Sequence, residues 1–230
     1  GQDILYSIKN SGTFFSVCRI INQKGANFMT FEEQKARILS GKMYNDLTQE
    51  LVDARKRAVD ITDEYNASYG ESPEVREAIL RKLVKHAEEG AFFEPGFRCE
   101  FGFNITLGKN FYANFGCVML DPGEIIIGDN VLFGPRVSIY TSRHAFNAQE
   151  RAAGACYAKP VRIGNNVWVG GGVHMDHGIT IGDNTVIGAG SVITHDIPSN
   201  VVAAGVPCRV IREITEDEAT DYFDVLKNEY

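Results

Sequence analysis

The sequence has no apolar run approaching the roughly 18 residues that a bilayer-crossing helix needs, which argues against a membrane protein. Thiols are few and unpatterned. The five cysteines, Cys18, Cys99, Cys117, Cys156 and Cys208, are odd in number, scattered, and contain no C-x-x-C pair. That argues against a disulfide framework and a thiolate zinc site, and it fits a reducing, cytoplasmic setting. Positive charge is also scarce, with 23 Lys and Arg against 30 Asp and Glu, a formal charge of −7 and a pI near 5.3. Such a balance argues against a nucleic-acid backbone as the main partner, although a few local cations can still hold a nucleotide cofactor. What remains is 230 residues, 44% apolar, enough for one large domain or one domain with a helical appendage.

Residues 1–28 carry Lys9, Arg19 and Lys24 without a continuous apolar core and make a poor signal peptide. They read as an extension upstream of a candidate start at Met29, with a transit-like segment as the weaker alternative, and carry none of the functional residues. Residues 29–91 read as a helical segment. Thr30 with Glu33 forms a capping-box pattern, and Gly41 is placed to end that helix. Thr48 can cap a second helix that turns Leu51, Val52, Val59 and Ile61 inward. Ser72-Pro73-Glu74 starts a third, which Gly90 would end, with His86 on its polar face.

From about residue 92 to 213 the character changes. Ile163, Val169, Met175, Ile181, Ile187 and Ile193 recur at a spacing of six, and Gly164, Gly170, Gly182 and Gly188 follow four of them directly. Four residues after each leading aliphatic stand Val167, Val173, Ile179, Thr185, Ser191 and Ile197. The frame reappears at Ile127, Phe133 and Ile139, and two residues out of phase at Leu107. A fixed period decides the architecture before any local preference does. Six residues suit a short strand and a tight corner, so three units make one triangular coil and coils stack at roughly 4.8 Å. The leading aliphatic points into the prism, the small residue behind it lets the chain turn, and Asp129-Asn130, Asn165-Asn166 and Asp183-Asn184 tolerate the turn dihedrals. Between Tyr140 and Pro160 the repeat breaks and then resumes in frame, which predicts an excursion loop, residues 141–160, on a rigid scaffold. Thr215 with Glu218 predicts a short C-terminal helix within 214–230.

These residues resemble the hexapeptide-repeat acyltransferases, and within them the galactoside and maltose O-acetyltransferases. The resemblance spans about residues 30–213. It rests on the Gly108–Phe115 stretch, Ile127–Val131, the Tyr140–His144 loop entry, Ile163–Trp168, Val186–Ser191 and Ala203–Ile211. It implies a left-handed parallel β-helix with an N-terminal helical segment, assembled as a homotrimer with sites between subunits. The implied activity is transfer of acetyl from acetyl-CoA, the co-substrate, to a sugar hydroxyl, with no metal required.

Such a transfer needs a base for the attacking hydroxyl, stabilisation of the thioester oxyanion, and positioning of both reactants. His144, at the root of the excursion, matches the family's catalytic histidine, and an imidazole titrates near operating pH. Backbone N–H groups near Gly170 and Gly171 are candidates for the oxyanion. By resemblance, Asp46, Glu100, Asn114 and Asp121 bind the acceptor, and Pro122 departs from an acidic position of the galactoside branch, leaving Asp121 alone. The implied cofactor contacts are Trp168, Gly171, Ala189, Thr194, His195, Arg209 and Arg212. His195 stands where relatives often carry lysine and would hold phosphate more weakly. Cys117 and Cys156 read as packing or loop residues. Two other readings compete. A metal-dependent hydrase like the γ-class carbonic anhydrases needs three converging histidines, which the spacing of His174 and His177 does not favour. A non-catalytic β-helix scaffold would not need His144, Trp168 and Arg209 together.

Overall fold

The computed structural model describes residues 29–222 and residue 226, so the reading of residues 1–28 lies outside it. The chain from His86 winds into a parallel β-helix of about six turns. Its three faces are ladders of very short strands. One runs through His86–Ala87, Ile105–Leu107, Ile125–Ile127, Val161–Ile163 and Thr180–Ile181. A second runs through Arg98–Cys99, Val118–Leu120, Ser138–Tyr140, His174–Met175 and Val192–Ile193. The third runs from Phe92–Phe93 through Tyr112–Ala113, Leu132–Phe133, Trp168–Val169 and Val186–Ile187 to Val201–Ala204, and closes with the antiparallel strand Arg209–Glu213.

The six-residue aliphatics form the core. Ile127, Ile163 and Ile181 stack in register, as do Phe133, Val169 and Ile187, and all six are buried. Burial of each such side chain is worth about 1.5–3 kcal/mol, which a chain of two-residue strands needs. Thr185 and Ser191, the polar members of the second series, are fully buried. Their hydroxyls donate to Pro198 O (2.9 Å) and Gly188 O (2.6 Å).

The corners divide their chemistry differently from the sequence expectation. The asparagines do take left-handed dihedrals: Asn110, Asn130, Asn166, Asn184 and Asn200 have φ of 54–61°. Their amides form a ladder up one edge, with links of 3.0 to 3.1 Å. The glycines behind the leading aliphatics serve close approach instead. A Cβ on Gly164 would lie 2.8 Å from the Asp183 backbone nitrogen in the next coil. The early coils are also longer: Ala87, Leu107 and Ile127 are partners twenty residues apart, whereas Ile163 and Ile181 are eighteen apart. The two extra residues widen a corner and account for the phase shift at Leu107.

Helices α1 (Phe31–Leu39), α2 (Gln49–Ala67) and α3 (Pro73–Leu83) cap the lower end. Thr30 and Glu33 make both capping-box bonds, 3.2 and 2.7 Å. Thr48 precedes α2 as expected, but its hydroxyl donates to Gln34 Oε1 (2.7 Å) rather than capping. The buried stripe of α2 is Leu51, Ala58, Thr62 and Tyr65, and Val59 is exposed. Helix α3 ends at Leu83, not Gly90, because Val84 turns extended and His86 enters the first ladder. His86 is therefore a strand residue, paired with Glu88 at 2.9 Å. Tyr65, Phe93, Phe97 and Phe111 close the bottom of the prism as an aromatic plug. At the other end Thr215 N donates to Glu218 Oε1 (3.2 Å) at a 3₁₀ turn, Glu216–Glu218, and the described residues beyond it, Tyr222 and residue 226, are helical.

Candidate active site

The excursion is a β-hairpin: Ser142–His144 pairs antiparallel with Ala155–Ala158, joined across the short helix α4 (Ala148–Ala152). Asn147 caps α4, its Oδ1 accepting from Gln149 N (2.9 Å) and Glu150 N (3.1 Å). Arg143 is clasped between Phe146 and Tyr157, 4.5 and 4.4 Å from their ring centres. The strand Tyr44–Asn45, before α2, adds to the hairpin's other edge. Register places Tyr44, Cys156 and His144 directly across from one another, so their side chains share one face. Ile38, Tyr44, Leu51, Phe101, Cys156 and Ala158 form a second small core that fixes the hairpin to the helices and prism.

On that face Cys156 Sγ lies 2.9 Å from His144 Nδ1. Beside it, Arg55 of α2 joins two carboxylates. Its Nε donates to Glu100 Oε1 (2.9 Å), its Nη1 to Asp46 O (3.0 Å), and its Nη2 to Asp46 Oδ1. The guanidinium also sits 5.1 Å over the Phe101 ring. Asp46, Glu100 and His144, expected to act together, are thus brought to one place. Arg55, Cys156 and Tyr44 join them unanticipated. Two half-buried carboxylates call for a cation, and that was the available signal for Arg55. The Tyr44 hydroxyl is buried and lacks a hydrogen-bond partner, and burial raises its pKa.

Burial pushes the Glu100 carboxyl up to about 7 and, with Asp46 adding like charge, outweighs the Arg55 contact. It pushes the Cys156 thiol up to about 12, so this sulfur is a neutral thiol and a poor nucleophile. The Glu100 shift has a testable sign. Between its ordinary pKa of 4.5 and about 7 the folded chain keeps a proton that the unfolded chain releases, so stability falls as pH rises through that window. Glu100→Gln is expected to remove this segment of the slope. Denaturant melts at pH 5 and 8 should show wild type losing on the order of 1 kcal/mol or more relative to the variant. Parallel curves would contradict the shift.

Asp121 is a correction. Its carboxylate is fully buried and accepts from Phe101 N (2.8 Å), Gly102 N (3.0 Å) and Asn104 N (3.2 Å). It ties down a widened corner and presents nothing to an acceptor. Asn114 and Trp168 belong to the third face, away from the hairpin; Asn114 Oδ1 accepts from Phe115 N (2.7 Å). Trp168 is 55% exposed and aligned with Leu132 below and Val186 above. Gly170 is not free to hold an oxyanion, since its N–H donates to Ile187 O (2.8 Å); Gly171 lies on the neighbouring corner with Phe115, Pro135 and Arg136. Ala189 repeats that corner one coil higher, packed on Gly170. Thr194 Oγ1 lies 2.8 Å from His195 Nδ1 on an exposed corner of the last coils. Arg209 donates to Cys208 O (2.8 Å), and Arg212 is held by Glu218, an acid that a bound phosphate would have to displace. His174 stacks on Tyr140 at 5.9 Å, whereas His177 packs near Tyr157, so these histidines face different neighbours.

Residues 37–88 match the maltose acetyltransferase hexapeptide capping motif, and residues 160–195 match the bacterial transferase hexapeptide (six repeats). The galactoside O-acetyltransferase of Escherichia coli (strain K12) is 44% identical over 193 residues, 84% of this chain and 95% of that protein. Among solved structures, a maltose O-acetyltransferase from Clostridium difficile 630 superposes with a TM-score of 0.76 at 48% identity, covering 83% of this chain and 100% of that one. A galactoside acetyltransferase in complex with coenzyme A superposes with a TM-score of 0.77 at 43% identity, covering 83% of this chain and 94% of that one.

Proposed function

Because this chain belongs to the hexapeptide-repeat acetyltransferases, on the galactoside and maltose O-acetyltransferase side of the family, we propose that it acetylates a sugar hydroxyl with His144 as general base. The fold is the family's left-handed β-helix, the activity is acetyl-CoA-dependent O-acetyl transfer, and acetyl-CoA is the co-substrate. The observation that carries the finer reading is the shared face of His144, Asp46 and Glu100, with Arg55 holding the carboxylates.

A sugar presents several hydroxyls, and a carboxylate accepts from two at once with charge-assisted bonds. One hydroxyl would then meet His144. With the ring proton on Nδ1, donated to the Cys156 sulfur, Nε2 offers its lone pair; the tautomer is assigned from this contact. As Nε2 takes the proton, the alkoxide attacks the thioester carbon. Collapse of the tetrahedral intermediate breaks the C–S bond, and the departing sulfur recovers the proton from the imidazolium. The Gly171 N–H is the donor assigned to the oxyanion.

Asn114 and Trp168 lie on a different face, so the proposed site takes them from a second copy in a homotrimer. Exposed Phe115, Leu132, Trp168, Val210 and Ile211 around that face support its burial against another chain. The same reading places the enzyme in the cytoplasm, where the unpaired Cys99, Cys117, Cys156 and Cys208 would persist as thiols. No helix among the described residues is long and apolar enough to cross a membrane.

Free-thiol release from acetyl-CoA across a panel of sugars tests the function, with turnover expected for galactosides or maltose-type acceptors and none without acceptor. The shared site has its own test. His144→Ala chains and Asn114→Ala chains, each nearly inactive, should regain activity when denatured and refolded together, because some sites then join an intact His144 to an intact Asn114. Mixtures no more active than their components would contradict a site built from two chains.

A further inference from the structure

We propose that Asp46, His144 and Cys156 form a site for one borderline-soft divalent cation, zinc in the first place, and that its occupancy stops acetyl transfer. A carboxylate oxygen, an imidazole nitrogen and the thiol sulfur here lie within 4.8 Å of one another. A tetrahedral zinc with bonds of about 2.0–2.3 Å has ligand-to-ligand edges of about 3.5 Å. The 2.9 Å sulfur–nitrogen contact therefore has to open slightly and the longer separations to close, movements of side chains rather than of backbone.

The donor set selects the metal. One sulfur, one nitrogen and one oxygen suit zinc, with the Cys156 thiol proton released to solvent as the metal takes the sulfur as thiolate, and the fourth position left to water or a substrate oxygen. Magnesium and calcium ask for six or more oxygens and find few here. The frame is already built: Cys156 and His144 are paired strand residues, and Tyr44–Asn45 delivers Asp46 from the other edge. Arg55 engages Asp46 through Oδ1, and a carboxylate has a second oxygen for a metal, so the guanidinium can remain as an orienting partner.

The effect on catalysis follows from imidazole chemistry and rests on the base assignment for His144. A ring that gives the Nδ1 lone pair to a metal keeps its single proton on Nε2. It then has no lone pair left to take a proton from a hydroxyl. The cation also ties up Asp46, one of the two acceptor carboxylates. Zinc would act as a reversible brake, released by a chelator.

Cobalt(II) is the spectroscopic probe. Titration of the reduced, metal-free full chain should produce thiolate-to-cobalt charge transfer in the near ultraviolet, saturating at one ion per chain and bleached by zinc. Cys156→Ala should abolish the band and raise the zinc concentration for half-inhibition by at least ~10-fold. Alkylation mapped by mass spectrometry avoids dependence on any variant: zinc should protect Cys156, and a chelator should restore its labelling. No charge-transfer band, a band that persists in Cys156→Ala, or labelling of Cys156 unaffected by zinc would each overturn the site. Cobalt binding with no loss of turnover would instead overturn the brake. The binding readouts need no activity, so they stand apart from the fate of the base assignment.

Discussion

Replacing His144 by alanine should lower kcat by at least ~10²-fold while leaving acetyl-CoA binding nearly intact. A positioned base is typically worth 10²–10⁴ in rate, and nothing nearby can substitute for this one. The closest titratable neighbour, Cys156, has a thiol pushed up to about 12 by burial, so it does not take over as base at neutral pH. Glu100 is held by Arg55, 2.9 Å away, and Asp46 is held by the same guanidinium. The hairpin should survive the substitution, because His144 contributes backbone pairing to Cys156 and an exposed ring rather than core packing. The loss should therefore appear in kcat with the melting temperature nearly unchanged. A variant that keeps more than a tenth of wild-type turnover would remove His144 from the chemistry.

Asp121→Ala should act in the opposite way, through stability. The carboxylate accepts from three buried backbone N–H groups, at Phe101, Gly102 and Asn104. Deleting it orphans all three, and an unsatisfied buried donor costs about 1–3 kcal/mol. The expected loss is roughly 3 kcal/mol or more, read as a lower denaturant midpoint. At temperatures where the variant remains folded, its KM for the sugar should change little. A normal melt with a raised KM would restore the acceptor-binding role that the burial of Asp121 argues against.

These two residues show where the sequence is legible. A period of six is a global signal: every aliphatic from Ile163 to Ile193 repeats it, so the prism, its faces and its stacked asparagines follow from spacing alone. The hairpin is legible as the place where the period fails, and His144 as the histidine at its root. What spacing does not carry is the partner of an isolated polar residue. Asp121 sits at a corner widened by two residues, where a carboxylate turns inward to the backbone, and no pattern in the chain distinguishes that from an outward turn. Arg55 lies in Asp53-Ala54-Arg55-Lys56-Arg57, where three cations and one acid look alike until α2 turns one guanidinium toward Asp46 and Glu100. Cys156 is a lone cysteine in a loop, brought beside His144 only by the antiparallel register. The end of α3 is hidden for a similar reason: Gly90 is a plausible helix stop, but the first ladder captures His86 before the helix reaches it.

The direct route of the acetyl group is the central claim, and Cys156 at 2.9 Å from His144 makes it worth testing at that sulfur. Acetyl-CoA should be mixed with the enzyme with and without an accepted sugar, and the acetyl group located by intact-protein and product mass spectrometry. Direct attack predicts free coenzyme A only when sugar is present, with the acetyl on a sugar oxygen and none on the protein. Stoichiometric coenzyme A release without sugar, with acetyl on Cys156, would contradict it.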